Sequence, residues 1–228
     1  MPKVSLQVVG AGARDIEIRW VFNGGYAGRD TAEVQHHVDE LAALGVPGPT
    51  RVPSLYPLSN FLLSQGSSVQ VPHEKTSGEA EWALVIGDNP EEVFLTAACD
   101  HTDRALETHG VAWSKQSAPD FLGTVAWRWE DIRSRFDAFS LKAWVTNDGV
   151  ESLIQNGSPA QLLSPDYWLE QLREAGLARP GTLLMSGTIP MVPGVNQFAA
   201  EWRVELSDQD GHTSEVSYRV DQLAPAWG

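Results

Sequence analysis

Two glutamates spaced two apart, Glu79 and Glu81 in the run Gly78-Glu79-Ala80-Glu81-Trp82-Ala83-Leu84-Val85-Ile86-Gly87, are the residues of this chain best suited by type and spacing to do chemistry. The run reads as a β-strand. Side chains alternate faces along a strand, so Glu79 and Glu81 point the same way, with Ala83 and Val85 continuing their row. Carboxylates that close repel, and the arrangement needs a cation between them, a shared proton or plain solvent. A divalent metal is the chemically pointed reading; an edge strand with solvated glutamates is the plain one. A third acid, Asp100, falls at the end of a strand expected over residues 92–98. Three hard oxygen ligands suit Mg²⁺ or Mn²⁺ and also Ca²⁺, whereas zinc more often draws on His or Cys. Asp100 and Asp103 have competing uses, pairing with Arg104 or capping a short helix after it.

The elements that must position these acids are mostly strands. Residues 4–9 and 15–22 alternate on either side of Gly10-Ala11-Gly12, which predicts an opening pair of strands; that glycine turn lacks the third glycine and the helix of a dinucleotide loop. A helix is expected over residues 31–44, capped by Asp30 and ended by Gly45 and Pro47. At ~100° per residue, Glu33, His37 and Glu40 share one flank of it, where a histidine between carboxylates can activate water or sit idle at the surface. Residues 45–57 hold too much proline for regular structure and read as an irregular connector. Short strands are expected at 69–71, 138–145, 152–155 and 182–185, a helix over 165–175 behind Ser164, and a final hairpin pairing 201–206 with 216–220. The loop Ser186-Gly187-Thr188-Ile189-Pro190 offers amides and hydroxyls for a carboxylate. The division expected is 1–57, N-terminal strands and helix, and 58–228, a metal-binding core, together forming one compact unit.

Composition narrows the function classes. With 42% hydrophobic and 20% charged residues the 228-residue chain is ordinary globular material, and no apolar run approaches the ~20 residues of a membrane span. A net charge of -14 argues against nucleic acid as a partner. Met1-Pro2-Lys3 does not lead into a signal-peptide core, and Cys99 is the only cysteine, so a reducing cytoplasm is the expected location. Nine scattered tryptophans read as core filling.

Taken in order, several motifs resemble those of the fumarylacetoacetate hydrolase superfamily. Tyr26-Ala27-Gly28 followed by His37-Val38-Asp39-Glu40 is similar to its lid segment, and Glu79 to Gly87 looks like its Glu-x-Glu strand with Val-Ile-Gly. Cys99-Asp100-His101-Thr102-Asp103-Arg104 resembles its Asn-Asp-Val-Ser-x-Arg element. Ser114-Lys115-Gln116-Ser117, Gln155-Asn156-Gly157-Ser158 and the 186–190 loop mirror its later elements more loosely. The inserted Ile189, a longer lid spacing and a short Glu81-to-Asp100 interval mark a divergent branch. The resemblance implies an α+β fold, mostly β, with mixed sheets rolled into that family's β-roll and a few peripheral helices. It also implies Glu79, Glu81 and Asp100 as ligands of Mg²⁺ or Mn²⁺, with Ca²⁺ admitted, and His37, Glu40 and Lys115 as catalytic residues. Thr188, Gln155 and Arg104 would bind substrate. The activity implied is hydrolytic C–C cleavage of a 2-oxo or 1,3-dicarbonyl acid, acylpyruvate-like, with hydration, decarboxylation or tautomerisation as alternatives, in a homodimer that binds neither nucleic acid nor membrane. The rival class is a non-catalytic small-molecule-binding protein.

Overall fold

A computed structural model describes residues 1–43 and 48–224, apart from the side chains of His37 and residues 40–43. Its strands are β1 (Lys3–Val8), β2 (Gly12–Glu17), β3 (Trp20–Gly25), β4 (Ser54–Leu58), β5 (Leu63–Ser64), β6 (Ser68–Val71) and β7 (Thr76–Ile86), followed by β8 (Val93–Asp103), β9 (Asp120–Arg128), β10 (Ser140–Asn147), β11 (Val150–Gly157), β12 (Thr182–Met185), β13 (Glu201–Ser207) and β14 (Thr213–Gln222). A nine-stranded mixed sheet runs β2-β1-β9-β8-β7-β12-β3-β4, with β5 on β9; a five-stranded sheet runs β11-β10-β13-β14-β6. Strands from the first 58 residues thus lie in one sheet with the glutamate strand. The fold is α+β and mostly β, with its helices short and peripheral.

Strand β7 is central rather than an edge, and all eleven of its residues are buried. Solvated glutamates are therefore excluded. Its alternation sorts two cores: Ala80, Trp82, Leu84 and Ile86 face the five-stranded sheet, while Ala83 and Val85 face a second cluster with Val4, Leu6, Leu58 and Leu62. That second cluster draws on both ends of the large sheet and lies inside its curl. Glu79 and Glu81 belong to the same row as Ala83 and Val85, so the acids sit at one end of this inner face.

Three expectations change. The 15–22 segment divides into β2 and β3, because β2 completes the hairpin with β1 whereas β3 pairs with β12 and β4. Residues 54–58 are not irregular: they form β4 despite Pro57, which is tolerated because β4 is the sheet's edge, where a missing N–H breaks no central ladder. Strand β8 runs on to Asp103, which places Asp100 inside a central strand rather than at its end. Helix α1 (Thr31–Ala43) starts where expected, with Asp30 Oδ1 accepting from the amides of Ala32 (2.8 Å) and Glu33 (3.2 Å). The hairpin turn between β10 and β11 has positive φ at Asp148 (50°) and Gly149 (75°), the pair a two-residue turn demands.

Asp208 secures the last hairpin. Its Oδ1 accepts from the amides of Asp210 and His212, and its Oδ2 from Trp127 Nε1 at 2.9 Å and the His212 ring. Burial would raise its pKa, but the bonds from His212, Trp127 and Asp210 outweigh burial and hold it below the usual carboxylate range. A group depressed in the folded state contributes stability above its unfolded value, about 3.9, and loses it as pH falls through the folded value. Asp208→Asn should cost about 1.5–3 kcal/mol at pH 7, with the difference shrinking in thermal melts run below pH ~4.

Candidate metal centre

Strand register builds the site. Glu79 pairs directly with Asp100 across β7 and β8, and Asp100 pairs with Asp120 across β8 and β9. Directly opposed residues share a face, so these three acids form a row, with Glu81 one pleat further along β7. Oxygen atoms of Glu79, Glu81 and Asp100 all lie within 4.8 Å of one another. Glu81 and Asp100 are wholly buried and Glu79 nearly so.

Two cations hold the cluster. Lys115, the residue after α3 (Val111–Ser114), sends its Nζ to Asp100 Oδ2 and to Glu79 Oε2 (3.2 Å). Arg104, which opens α2 (Arg104–Glu107), sets its Nη2 2.9 Å from Glu79 Oε1 and also bonds Ser77 Oγ (2.7 Å) and Glu107 (3.1 Å). Its guanidinium is thus engaged on three sides, with Glu79 as one partner. Asp103, rather than joining the acids, caps α2 by accepting from the Leu106 amide at 2.9 Å.

The neighbours split the acids electrostatically. Burial would push the Glu79 carboxyl up, but Lys115 and Arg104 outweigh it and bring it down to about 2. Glu81 is pushed well above the usual range by burial, which Lys115 opposes and the charges of Asp100 and Glu79 reinforce. Asp100 is raised by burial against the pull of Lys115, and Asp120 well above its usual value by burial and the charge of Asp100. Burial would lower the Lys115 pKa, yet Asp100, Glu79 and Glu81 drive it well above the ordinary lysine value. The ammonium is therefore charged at neutral pH and is no base.

Two members of the cluster escape a sequence reading. Asn23 on β3 directs its Nδ2 to both oxygens of Glu81 (3.3 Å) and to Asp100 Oδ2 (3.2 Å), while its Oδ1 is buried without a hydrogen-bond partner among the described residues. The only hint was a polar residue immediately after the apolar pair Val21-Phe22. Asp120 opens β9 behind Ala118-Pro119, where an acid reads as a loop residue.

Other candidates form a second layer. Gln155, on β11 of the smaller sheet, accepts from the Ala80 amide (2.8 Å) and donates to Thr188 Oγ1 (2.8 Å) and Ile189 O (2.6 Å). Thr188 Oγ1 in turn donates to Ala80 O at 2.9 Å. Both residues anchor the 186–190 loop against the glutamate strand. In that loop Gly187 donates its N–H to Glu81 Oε2 at 2.9 Å. Its φ of 81° and an added Cβ only 2.7 Å from Gly24 O require glycine there. The side chains of His37 and Glu40 lie outside the described residues, so the expected dyad is placed only as far as the backbone of α1.

The donor set fits a divalent cation. Three carboxylates supply hard oxygens within 4.8 Å of one another. Among the described residues, Lys115 and Arg104 are the cations paired with these acids, and neither reaches Glu81 or Asp120 with an ion pair.

Residues 24–218 match one family model, described as "Protein of unknown function (DUF2848)". The chain belongs to the DUF2848 family. That span contains every member of the cluster except Asn23. No curated protein matches this DUF2848 chain by sequence. By fold it is similar to enzymes of the fumarylacetoacetate hydrolase superfamily. One is 2-keto-3-deoxy-D-arabinonate dehydratase complexed with magnesium and 2,5-dioxopentanoate, at 18% identity, TM-score 0.64, covering 93% of this chain and 77% of that one. Another is maleylpyruvate hydrolase from Sphingobium sp. SYK-6 with manganese(II) and pyruvate, at 16% identity, TM-score 0.58, covering 90% and 71%. A third is 4-oxalocrotonate decarboxylase from Pseudomonas putida G7 with calcium and acetate, at 16% identity, TM-score 0.54, covering 87% and 76%. At these identities the likeness is one of fold. No helix among the described residues is long and apolar enough to cross a membrane.

Proposed function

We propose that this DUF2848 protein is a divalent-metal-dependent enzyme of a divergent fumarylacetoacetate hydrolase branch, cleaving a C–C bond in a 2-oxo or 1,3-dicarbonyl acid. The observation that carries this reading is the buried Glu79–Glu81–Asp100 set with the Lys115 ammonium against two of its members. Glu79, Glu81 and Asp100 would hold Mg²⁺ or Mn²⁺, which when bound supplies a Lewis acid for the two oxygens of a chelating oxo acid. Arg104 keeps Glu79 ionised and fixes its orientation. Lys115, permanently charged here, lends positive charge to the enolate left when the bond next to the carbonyl breaks. The 186–190 loop, locked by Gln155 and Thr188, forms the wall where the substrate carboxylate would rest. By the resemblance of the sequence motif, His37 with Glu40 would be the base that deprotonates water. The protein acts as a homodimer in the cytoplasm under this proposal.

Hydration, decarboxylation and tautomerisation call on the same enolate and form the second reading, which the dehydratase, running hydration in reverse, and the decarboxylase among the similar folds support. Purified protein with Mn²⁺ should be followed by ultraviolet absorbance on a panel of acylpyruvates and oxaloacetate. On an acylpyruvate, hydrolysis predicts loss of enol absorbance with one pyruvate and one carboxylic acid per turnover, whereas on oxaloacetate decarboxylation predicts one pyruvate and one CO₂. Mn²⁺ binding with no turnover on any substrate would instead favour the binding-protein class.

A further inference from the structure

Asp120 stands directly opposite Asp100, which stands directly opposite Glu79. Such pairs project from one face with Cβ atoms about 5 Å apart, so an unbroken acidic row crosses β7, β8 and β9. The flanking residues agree on the face: Phe121 packs between the sheets, and Leu122 packs in the core that lies on the carboxylate side. Asp120 is wholly buried, yet neither of its oxygens has a hydrogen-bond partner among the described residues. Every other acid of the cluster is partnered. Glu79 has Lys115 and Arg104, Asp100 has Lys115, Asn23 and Thr102, and Glu81 has Asn23 and Gly187. A buried carboxylate left alone among three others is costly, and a fold retains one where something absent from the protein itself offsets the cost.

We infer that Asp120 is a fourth carboxylate of the cation site, acting through its field to set the site's charge for a divalent ion. A cation held by Glu79, Glu81 and Asp100 would sit beside Asp120 in this row, where no described residue offers either Asp120 oxygen a hydrogen bond. Asp120 is a positioning residue for charge, and the inference rests on the metal reading above.

Asp120→Asn keeps the shape and removes the charge. Isothermal titration of the full chain with Mn²⁺, at fixed pH and ionic strength, should show affinity about 10- to 100-fold weaker than wild type. The metal-free melting temperature should equal or exceed wild type, because a repulsive buried group has gone. Tb³⁺ should lose more affinity than Mn²⁺, since Coulomb attraction scales with the ion's charge. Unchanged Mn²⁺ affinity overturns the inference, as does a metal-free melting temperature several degrees below wild type, which would mark Asp120 as structural. Glu81→Gln run alongside separates the two readings. Binding lost there but kept in Asp120→Asn overturns this inference alone, whereas wild-type protein that binds no Mn²⁺ overturns it together with the metal site.

Discussion

Glu81→Gln should remove most Mn²⁺ binding while leaving the metal-free protein as stable as wild type. Glu81 is wholly buried among other acids and, among the described residues, has no cation at hydrogen-bond distance, its partners being the Asn23 amide and the Gly187 N–H. Burial already favours its neutral form, so a neutral isostere changes little in the absence of metal. With metal the balance reverses. Removing one partner of a buried ionic contact costs about 3–5 kcal/mol, which corresponds to a roughly hundredfold to several-thousandfold rise in Kd. Titration calorimetry and the Mn²⁺-induced shift in melting temperature measure this directly. Wild-type affinity in the variant would show that the acids on β7 are not the ligands.

Lys115→Met should have the opposite signature: a large loss of metal-free stability that Mn²⁺ partly restores. The ammonium contacts Asp100 and Glu79 inside the protein, and methionine fills similar space without charge. Two buried carboxylates would then lose a counterion, at a cost of about 3–5 kcal/mol. In a domain of this size each kcal/mol moves the melting temperature by about 2–4 °C. A cation that binds only the folded state recovers stability in proportion to the logarithm of its concentration over its Kd. On any substrate that wild type turns over, kcat should fall about 10²–10³-fold, the usual effect of removing one group that stabilises a developing oxyanion. Scanning calorimetry with chelator and with Mn²⁺ separates the two effects. An unchanged melting temperature in chelator would mean that Lys115 does not neutralise the cluster.

Much of the fold could be read along the chain because local rules dominated there. The Asp30-capped helix, the Ser164-capped helix α5 (Pro165–Glu174), the Asp148-Gly149 hairpin and the closing β13–β14 pair each carry their start, stop or turn chemistry within a few residues. The β4 edge strand was hidden because Pro57 within it and Pro53 just before it signal a break, and only its place at the rim of the sheet makes Pro57 harmless.

The acids divide along the same line. The spacing of Glu79 and Glu81 determined that they share a strand face, since alternation is a property of the backbone alone. That β7 is a central strand was decided by β8 and β12, which flank it. That its carboxylate face is buried was decided by the curl of the large sheet, which packs Val4, Leu6, Leu58 and Leu62 on the side of Ala83 and Val85. Tertiary register also brought in Asp100, Asp120, Lys115 and Asn23. They come from four separate segments whose approach is set by which strands pair, and no local spacing encodes that choice.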